Sequence, residues 1–288
     1  MTIADSELIL NPDGSIYHLN LHPEDIATTV ITVGDPDRVD QVTKHFDTIR
    51  FKSRKREFHV QTGMYRHKEI TVLSTGIGTD NIDIVLNELD ALVNINLKTR
   101  EIKSKLTSLD IIRIGTSGAI QKEIDLNSFI VSETAIGMDA TLQFYDSSIF
   151  RKTSFLEAFQ KHLDWKSPKI HPYIVSCDPE LKQKLSGKKT QNGITLTNSG
   201  FYAPQGRTLR ISSFYSNFYE KISSFHHDSQ KITNLEMETS AIYALSQLMG
   251  HRAISMNVIL ANRATGQFSS NANKAIDELI TYSLNQII

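Results

Sequence analysis

Ile111-Ile112-Arg113-Ile114-Gly115-Thr116-Ser117-Gly118-Ala119 passes from a β-branched apolar run into a segment of glycines and hydroxyls. Near-continuous Ile and Val, rather than strict apolar–polar alternation, is what a strand covered on both faces requires. Arg113 inside that run is costly to bury unless an anion lies beside it. Thr116 and Ser117 then offer hydroxyls between two glycines that leave backbone N–H groups open. An oxyanion site at the carboxyl end of a sheet strand has this composition, and α/β folds place their ligands there. So does an Arg at a strand edge paired with a structural carboxylate.

Similar apolar runs lie at residues 29–33, 70–73, 129–131, 174–175, 194–197 and 254–260. Helical periodicity fills the gaps between them. Ile82, Val85, Leu86, Leu89 and Val93 share one helical face, with Thr79 or Asp80 as its expected cap. Ala241, Leu245 and Leu248 do the same, with Gly250 where a helix stop is expected. From Asn271 onward, Ile276, Leu279, Ile280, Leu284 and Ile287 predict a terminal helix docked on the core. Strands alternating with helices predict an α/β fold around a central sheet. Residues 182–192 are polar and read as a loop. Neither a repeat nor a low-complexity linker divides the chain, so one domain over residues 1–288 is expected.

Composition narrows the function classes. The chain has 288 residues, 40% hydrophobic and 22% charged, as in ordinary globular proteins. Its 31 Lys+Arg against 32 Asp+Glu give a formal charge of −1, which provides no global attraction to nucleic acid or anionic lipid. Cys177 is the single cysteine, so no internal disulfide forms and a reducing compartment is expected. No apolar run approaches the ~18–20 residues of a membrane span. Residues 1–7 lack the basic-then-apolar order of a signal peptide, so the expected location is the cytoplasm.

Four more stretches could carry chemistry. Gly34-Asp35-Pro36-Asp37-Arg38 follows an apolar strand; it places Arg38 where a guanidinium and helix N–H groups could face an anion, or forms a plain surface turn. Ser74-Thr75-Gly76-Ile77-Gly78-Thr79-Asp80-Asn81 begins like a dinucleotide fingerprint, but Asn81 stands at the third glycine position and the motif fails. Glu236-Met237-Glu238 brackets a Met with two carboxylates that could bind a vicinal diol or simply favour a helix dipole. Phe201-Tyr202-Ala203-Pro204-Gln205-Gly206-Arg207 offers a stacking ring, a planar amide and a planar guanidinium, as a heterocyclic base would need, though an aromatic surface loop has the same residues. His226-His227-Asp228 lacks further metal-ligand spacing, and Lys52, Arg54, Lys55 and Arg56 read as a solvated face.

Taken in order with Tyr17-His18-Leu19, Arg56-Glu57-Phe58 and Asn262-Arg263, these motifs resemble the nucleoside phosphorylase family of the PNP/UDP type. The resemblance covers nearly the whole chain, with residues 139–192 matching only loosely. It implies a three-layer α/β/α domain with a central mixed sheet. It also implies phosphorolysis of uridine to uracil and ribose 1-phosphate, the work of a pentosyltransferase in pyrimidine salvage. By the resemblance, Gly34, Arg38, Arg113 and Thr116 hold phosphate, joined by Arg56 of a neighbouring subunit. The neighbour's His18 touches the ribose 5′-hydroxyl, while Glu236, Met237 and Glu238 hold the ribose. Thr116 and Phe201 contact the nucleoside, and Gln205 and Arg207 read the uracil edge. Arg113, Gln205, Arg207 and Glu238 are the expected catalytic residues.

A dimer is then the minimal active unit, with a hexamer of three dimers expected. No organic cofactor is implied, and a monovalent cation near Glu57, Ile77 and Asn81 is the one metal the resemblance allows. Asn262 stands where purine-cleaving relatives carry an Asp that protonates the base; a neutral amide cannot deliver that proton, which favours uridine over inosine. The base loop lacks the family's commoner Pro-Gly-Gln-Glu-Arg, and Lys55 replaces a frequent His. Two other readings stand beside phosphorolysis: a hydrolase that uses water, and a non-catalytic nucleoside-binding relative. Three arginines for phosphate argue against the first, and the presence of Arg113 and Glu238 against the second.

Overall fold

In the computed structural model, described over residues 2–151, 153–165 and 171–288, the apolar runs become strands and lengthen. The chain forms β1 (Thr29–Val33), α1 (Pro36–Thr43), β2 (Thr48–Lys55), β3 (Phe58–Tyr65), β4 (Lys68–Ser74) and α2 (Thr79–Asn94). A small pair, β5 (Ile95–Asn96) and β6 (Glu101–Ile102), precedes β7 (Asp110–Ala119) and β8 (Phe129–Met138). Then come α3 (Ser154–Leu163), β9 (Tyr173–Ser176), α4 (Pro179–Leu185), β10 (Thr190–Asn198), α5 (Phe218–Ser224), β11 (His226–His227) and β12 (Gln230–Glu236). The chain closes with α6 (Thr239–Met249), β13 (Arg252–Asn262), β14 (Gln267–Phe268) and α7 (Ala272–Gln286).

One mixed sheet carries the core, in the order β11-β12-β10-β8-β13-β7-β1-β4-β3-β2. β7 lies parallel to both β1 and β13. Every residue of β1 is buried, the expected result of a Thr-Val-Ile-Thr-Val run between helical layers. α2 and α6 pack together on one side, while α1, α4 and α7 pack together on the other, and both α6 and α7 touch β13. The fold is therefore the expected α/β architecture with a central mixed sheet.

The carboxyl end of β7 positions the site. Rather than ending at Ile114, the strand runs through the glycine and hydroxyl segment to Ala119. There it leaves the β1 side and pairs antiparallel with β12, Leu235 opposite Gly118 and Asn234 opposite Ala119. Since β12, β10, β8, β13 and β7 then pair around a closed ring, this half of the sheet curls into a small barrel. Glu236, the last residue of β12, is thereby carried to the open end of β7.

Several expectations change. Residues 182–192 are not a loop: they hold the end of α4 and the start of β10. α2 is capped neither by Thr79 nor by Asp80 but by Gly78, at φ +97°, whose N–H meets Glu238. Leu248, expected on the buried face of α6, is 38% exposed. β2 was missed because it alternates exposed and half-buried residues along a sheet edge, with Arg50, Lys52 and Arg54 to solvent. The basic cluster is otherwise a solvated face, except that Lys55 donates to Asn11 Oδ1 at 2.9 Å and to the Tyr17 carbonyl at 2.6 Å. Within the loosely matching stretch 139–192, Lys152 and residues 166–170 lie outside the described residues, as does Met1 at the amino end.

Candidate active site

Gly34 after β1, Gly76 after β4 and Thr116 within β7 open onto one cavity of about 770 Å³ at the carboxyl ends of these parallel strands. The cavity is also lined by Arg38, Arg113, Phe201, Gln205, Arg207, Glu236, Met237 and Glu238, so ten of the twelve phosphate- and nucleoside-site candidates converge on it. The two others do not line it. His18 is held by Glu88, which accepts its Nδ1 at 2.6 Å and its backbone N–H at 3.0 Å. Arg56 sits exposed in the β2–β3 turn at φ +55°. A second cavity of about 830 Å³, between residues 187–189 and α7, is lined by exposed Lys188, Lys189 and Glu278 and contains none of the motifs.

At the cavity floor, Arg113 is 5% exposed and sits among polar partners. Its Nη2 lies 2.5 Å from Glu238 Oε2 and 3.4 Å from Glu236 Oε2, and its Nη1 donates to Asn257 Oδ1 at 2.7 Å. Burial works against this cation, but Glu236 and Glu238 outweigh it and hold the guanidinium above its ordinary pKa. Burial pushes the Glu238 carboxyl upward, with Arg113 pulling it back.

The two carboxylates divide their work. Glu236 accepts Thr197 Oγ1 at 2.5 Å through one oxygen. Through the other it accepts the N–H groups of Glu238 and Thr239, each at 2.9 Å, and Thr239 Oγ1 at 2.8 Å. It therefore fastens β12 to the first turn of α6, the helix-start role, while still lining the cavity. Glu238 is left facing the cavity between Arg113 and the Gly78 N–H at 2.8 Å.

Arg38 behaves differently. It lies in the first turn of α1, whose start is fixed by Asp35 accepting the Asp37 N–H at 2.9 Å. Its guanidinium lines the cavity yet makes no hydrogen bond and no ion pair among the described residues. Burial lowers its pKa and neighbouring Arg113 lowers it further, and Asp35 and Glu238, which pull the other way, offset this only in part. Gly34 opposite adds room: a Cβ there would meet only the Gly76 carbonyl at 3.6 Å, an ordinary contact.

The far wall is planar and cationic. Gln205 is 2% exposed, and its Oε1 accepts from Arg207, whose guanidinium lies 3.9 Å over the Phe201 ring. Among the described residues Gln205 Nε2 has no acceptor, so its hydrogens face the cavity unpaired. Burial, aided by Arg263, lowers Arg207 to about 10. Arg263 was not among the expected site residues, yet it braces this loop. Its Nη1 meets the Gln205 carbonyl, its Nη2 meets the Gly206 carbonyl at 3.3 Å, and it stacks 4.1 Å over Tyr219. The signal available in sequence was only its place after Asn262.

Asn262 itself does not line the cavity. Its amide donates to the Gln121 and Ile124 carbonyls at 2.9 and 2.8 Å and accepts the Ala264 N–H at 2.9 Å. The side chain expected to face a base instead ties β13 to the turn after β7. Glu57, Ile77 and Asn81 do meet at the cavity mouth. As placed, Asn81 Nδ2 faces the Ile77 carbonyl at 3.5 Å, presenting a donor where a cation needs an oxygen. Among the described residues there is no group of three His, Cys, Asp or Glu able to hold a metal ion, and no helix is long and apolar enough to cross a membrane.

Comparison with known proteins gives the family. Residues 28–285 match the Phosphorylase superfamily, and the chain belongs to it. More particularly, the uridine phosphorylase of Thermococcus kodakarensis is 28% identical over 262 residues, covering 91% of this chain and 83% of its own. A DeoD-type purine nucleoside phosphorylase of Brevibacillus brevis is 24% identical over 272 residues, covering 93% and 97%. Among solved structures, a Trypanosoma brucei nucleoside phosphorylase that shows uridine phosphorylase activity superposes with a TM-score of 0.83 at 28% identity, covering 97% of this chain and 99% of its own.

Proposed function

We propose that this chain is a nucleoside phosphorylase that cleaves uridine with inorganic phosphate. The single observation that carries the phosphate half is Arg38: a half-buried guanidinium that lines the cavity beside Arg113 and makes no hydrogen bond or ion pair among the described residues. A dianion placed between the two cations relieves that repulsion. A water nucleophile gains nothing from it, which favours phosphorolysis over hydrolysis.

In this reading Arg38, Arg113, Thr116 and the Gly34 backbone hold phosphate, with Arg56 of a second copy closing over it. Glu238 holds the ribose hydroxyls, Met237 packs beneath the sugar, and His18 of the second copy reaches the 5′-hydroxyl. A phosphate oxygen bonds to C1′ as the C1′–N1 bond breaks, and the electron pair of that bond leaves with uracil. Gln205 and Arg207 stabilise the charge that develops on the uracil ring, which is electrostatic catalysis with no covalent intermediate. Holding both reactants in line supplies about 7–11 kcal/mol of the barrier reduction when the geometry is good. Phosphate is itself the nucleophile, so no organic cofactor takes part. Uridine is favoured because the Gln205–Arg207 pair matches the acceptor and donor edge of uracil, and because this wall offers no carboxylic acid to protonate a purine.

The test is loss of uridine absorbance with and without inorganic phosphate, with inosine as control. Phosphate-dependent cleavage of uridine alone supports the reading. Cleavage of uridine without phosphate sinks the phosphorylase assignment, and preferential cleavage of inosine sinks the base assignment.

A further inference from the structure

The Arg113 guanidinium reaches the cavity floor by lying back along β7 over Gly115. Directly across the parallel register from Gly115, on β13, stands Asn257. Its side chain is fully buried, and its Oδ1 accepts Arg113 Nη1 at 2.7 Å. Its Nδ2 donates to Ser132 Oγ and Ser255 Oγ, both at 3.1 Å. Those hydroxyls are tied in turn: Ser132 to Thr195 Oγ1 at 2.6 Å, and Ser255 to Thr239 Oγ1 at 2.9 Å. Both amide hydrogens are thus taken by the barrel interior, and the oxygen is left facing the guanidinium.

We propose that Asn257 is a positioning residue for Arg113: its amide oxygen fixes the Nη1 edge of the guanidinium so that the cation is presented to the anionic substrate, and it does so without a competing negative charge. The inference rests on the phosphate reading above. The charge count explains why neutrality matters. At the floor around Arg113, Arg38 and Arg113 stand against Glu236 and Glu238, two cations and two carboxylates, with Asp35, Glu57 and Arg207 elsewhere on the cavity lining. A carboxylate at position 257 would keep the hydrogen bond to Arg113 but leave the cavity floor net negative, weakening its hold on an anion.

Asn257→Asp, nearly identical in shape, separates orientation from charge. KM for phosphate is expected to rise about tenfold or more, while KM for uridine stays within about twofold, because only the anion senses the added charge. The rise in unfolding temperature produced by inorganic phosphate should shrink in parallel, a readout independent of turnover. Equal increases in both KM values, or no change in either, overturn the proposal, since a merely structural role does not separate the two substrates. If the Asp variant fails to fold, Asn257→Ser, too short to reach Arg113, must show the same split for the proposal to stand. Wild-type protein that cleaves uridine without phosphate and gains no stability from it would instead count against the underlying phosphorylase reading.

Discussion

Arg113 and Gly115 lie on the same face of β7, so close that a Cβ at residue 115 would stand 1.7 Å from Arg113 Nη1. The glycine is the channel through which the arginine reaches Asn257 and Glu238. Residues two apart on a strand point the same way, so only the absence of a side chain at 115 lets the guanidinium fold back over the strand.

Gly115→Ala is therefore expected to spare the fold and damage the site. The atom in the way is the end of a flexible side chain, which can move, but moving it breaks buried charge-assisted hydrogen bonds. A stability loss of about 1–3 kcal/mol follows from those bonds. A fall of about 100-fold in kcat/KM follows from the misplaced cation. Thermal unfolding and steady-state kinetics on the same preparation check both halves; activity within about threefold of wild type would contradict this account of Gly115.

Arg38 gives the opposite signature. A half-buried cation with no hydrogen bond or ion pair among the described residues costs stability in the empty protein. Arg38→Met, which keeps the stem and removes the charge, should unfold at the same temperature as wild type or higher without phosphate. Phosphate at about 100 times its Kd should stabilise wild type by roughly 2.7 kcal/mol and the variant by far less. Differential scanning calorimetry across a phosphate series checks this, and a variant that responds like wild type would remove Arg38 from the anion site.

What could be read from sequence follows from where the information lies. β1 and β7 were legible because strands buried on both faces need unbroken apolar runs, and α2 because its buried residues keep helical spacing. β2 was hidden because an edge strand carries basic residues on its solvent side and shows no apolar run. α4 was hidden because its lysines make a short amphipathic helix look like a loop. Glycine and arginine motifs announced most of the cavity, since close approach and anion charge restrict residue choice locally. Asn257 and Arg263 could not be found that way. Their partners, Arg113 and the Gln205 and Gly206 carbonyls, lie 144, 58 and 57 positions away, and only the folded sheet joins them.

Behind the site, Asp139 follows β8 at 1% exposure, accepting the Tyr173 hydroxyl at 2.7 Å and the Thr141 N–H at 2.9 Å. Burial raises its pKa above the usual 3.8, and those hydrogen bonds only partly offset the shift. A carboxyl whose folded pKa is raised contributes stability that is full below its unfolded pKa and is lost as pH rises through the folded value. Asp139→Asn cannot ionise and lacks this loss. Whatever its offset at low pH, its stability relative to wild type should improve as pH rises from about 4 to 7. Urea unfolding at a series of pH values measures the difference, and a constant or opposite trend would show that Asp139 is not held at a raised pKa.

Arg263 separates charge from shape at the base wall. Its two nitrogens meet two successive carbonyls while the plane stacks on Tyr219, a bidentate arrangement that a lysine ammonium cannot reproduce. The same guanidinium helps lower the pKa of Arg207, so it keeps the neighbouring cation in want of an anion. Arg263→Lys retains the charge and loses the fork. If the loop carrying Gln205 and Arg207 depends on the fork, KM for uridine should rise roughly tenfold, the loss of about 1.4 kcal/mol, with KM for phosphate unchanged. If charge alone mattered, the lysine variant would match wild type. Arg263→Gln then serves as the second arm, since it removes the charge and should lower kcat in addition, where the leaving uracil demands compensation.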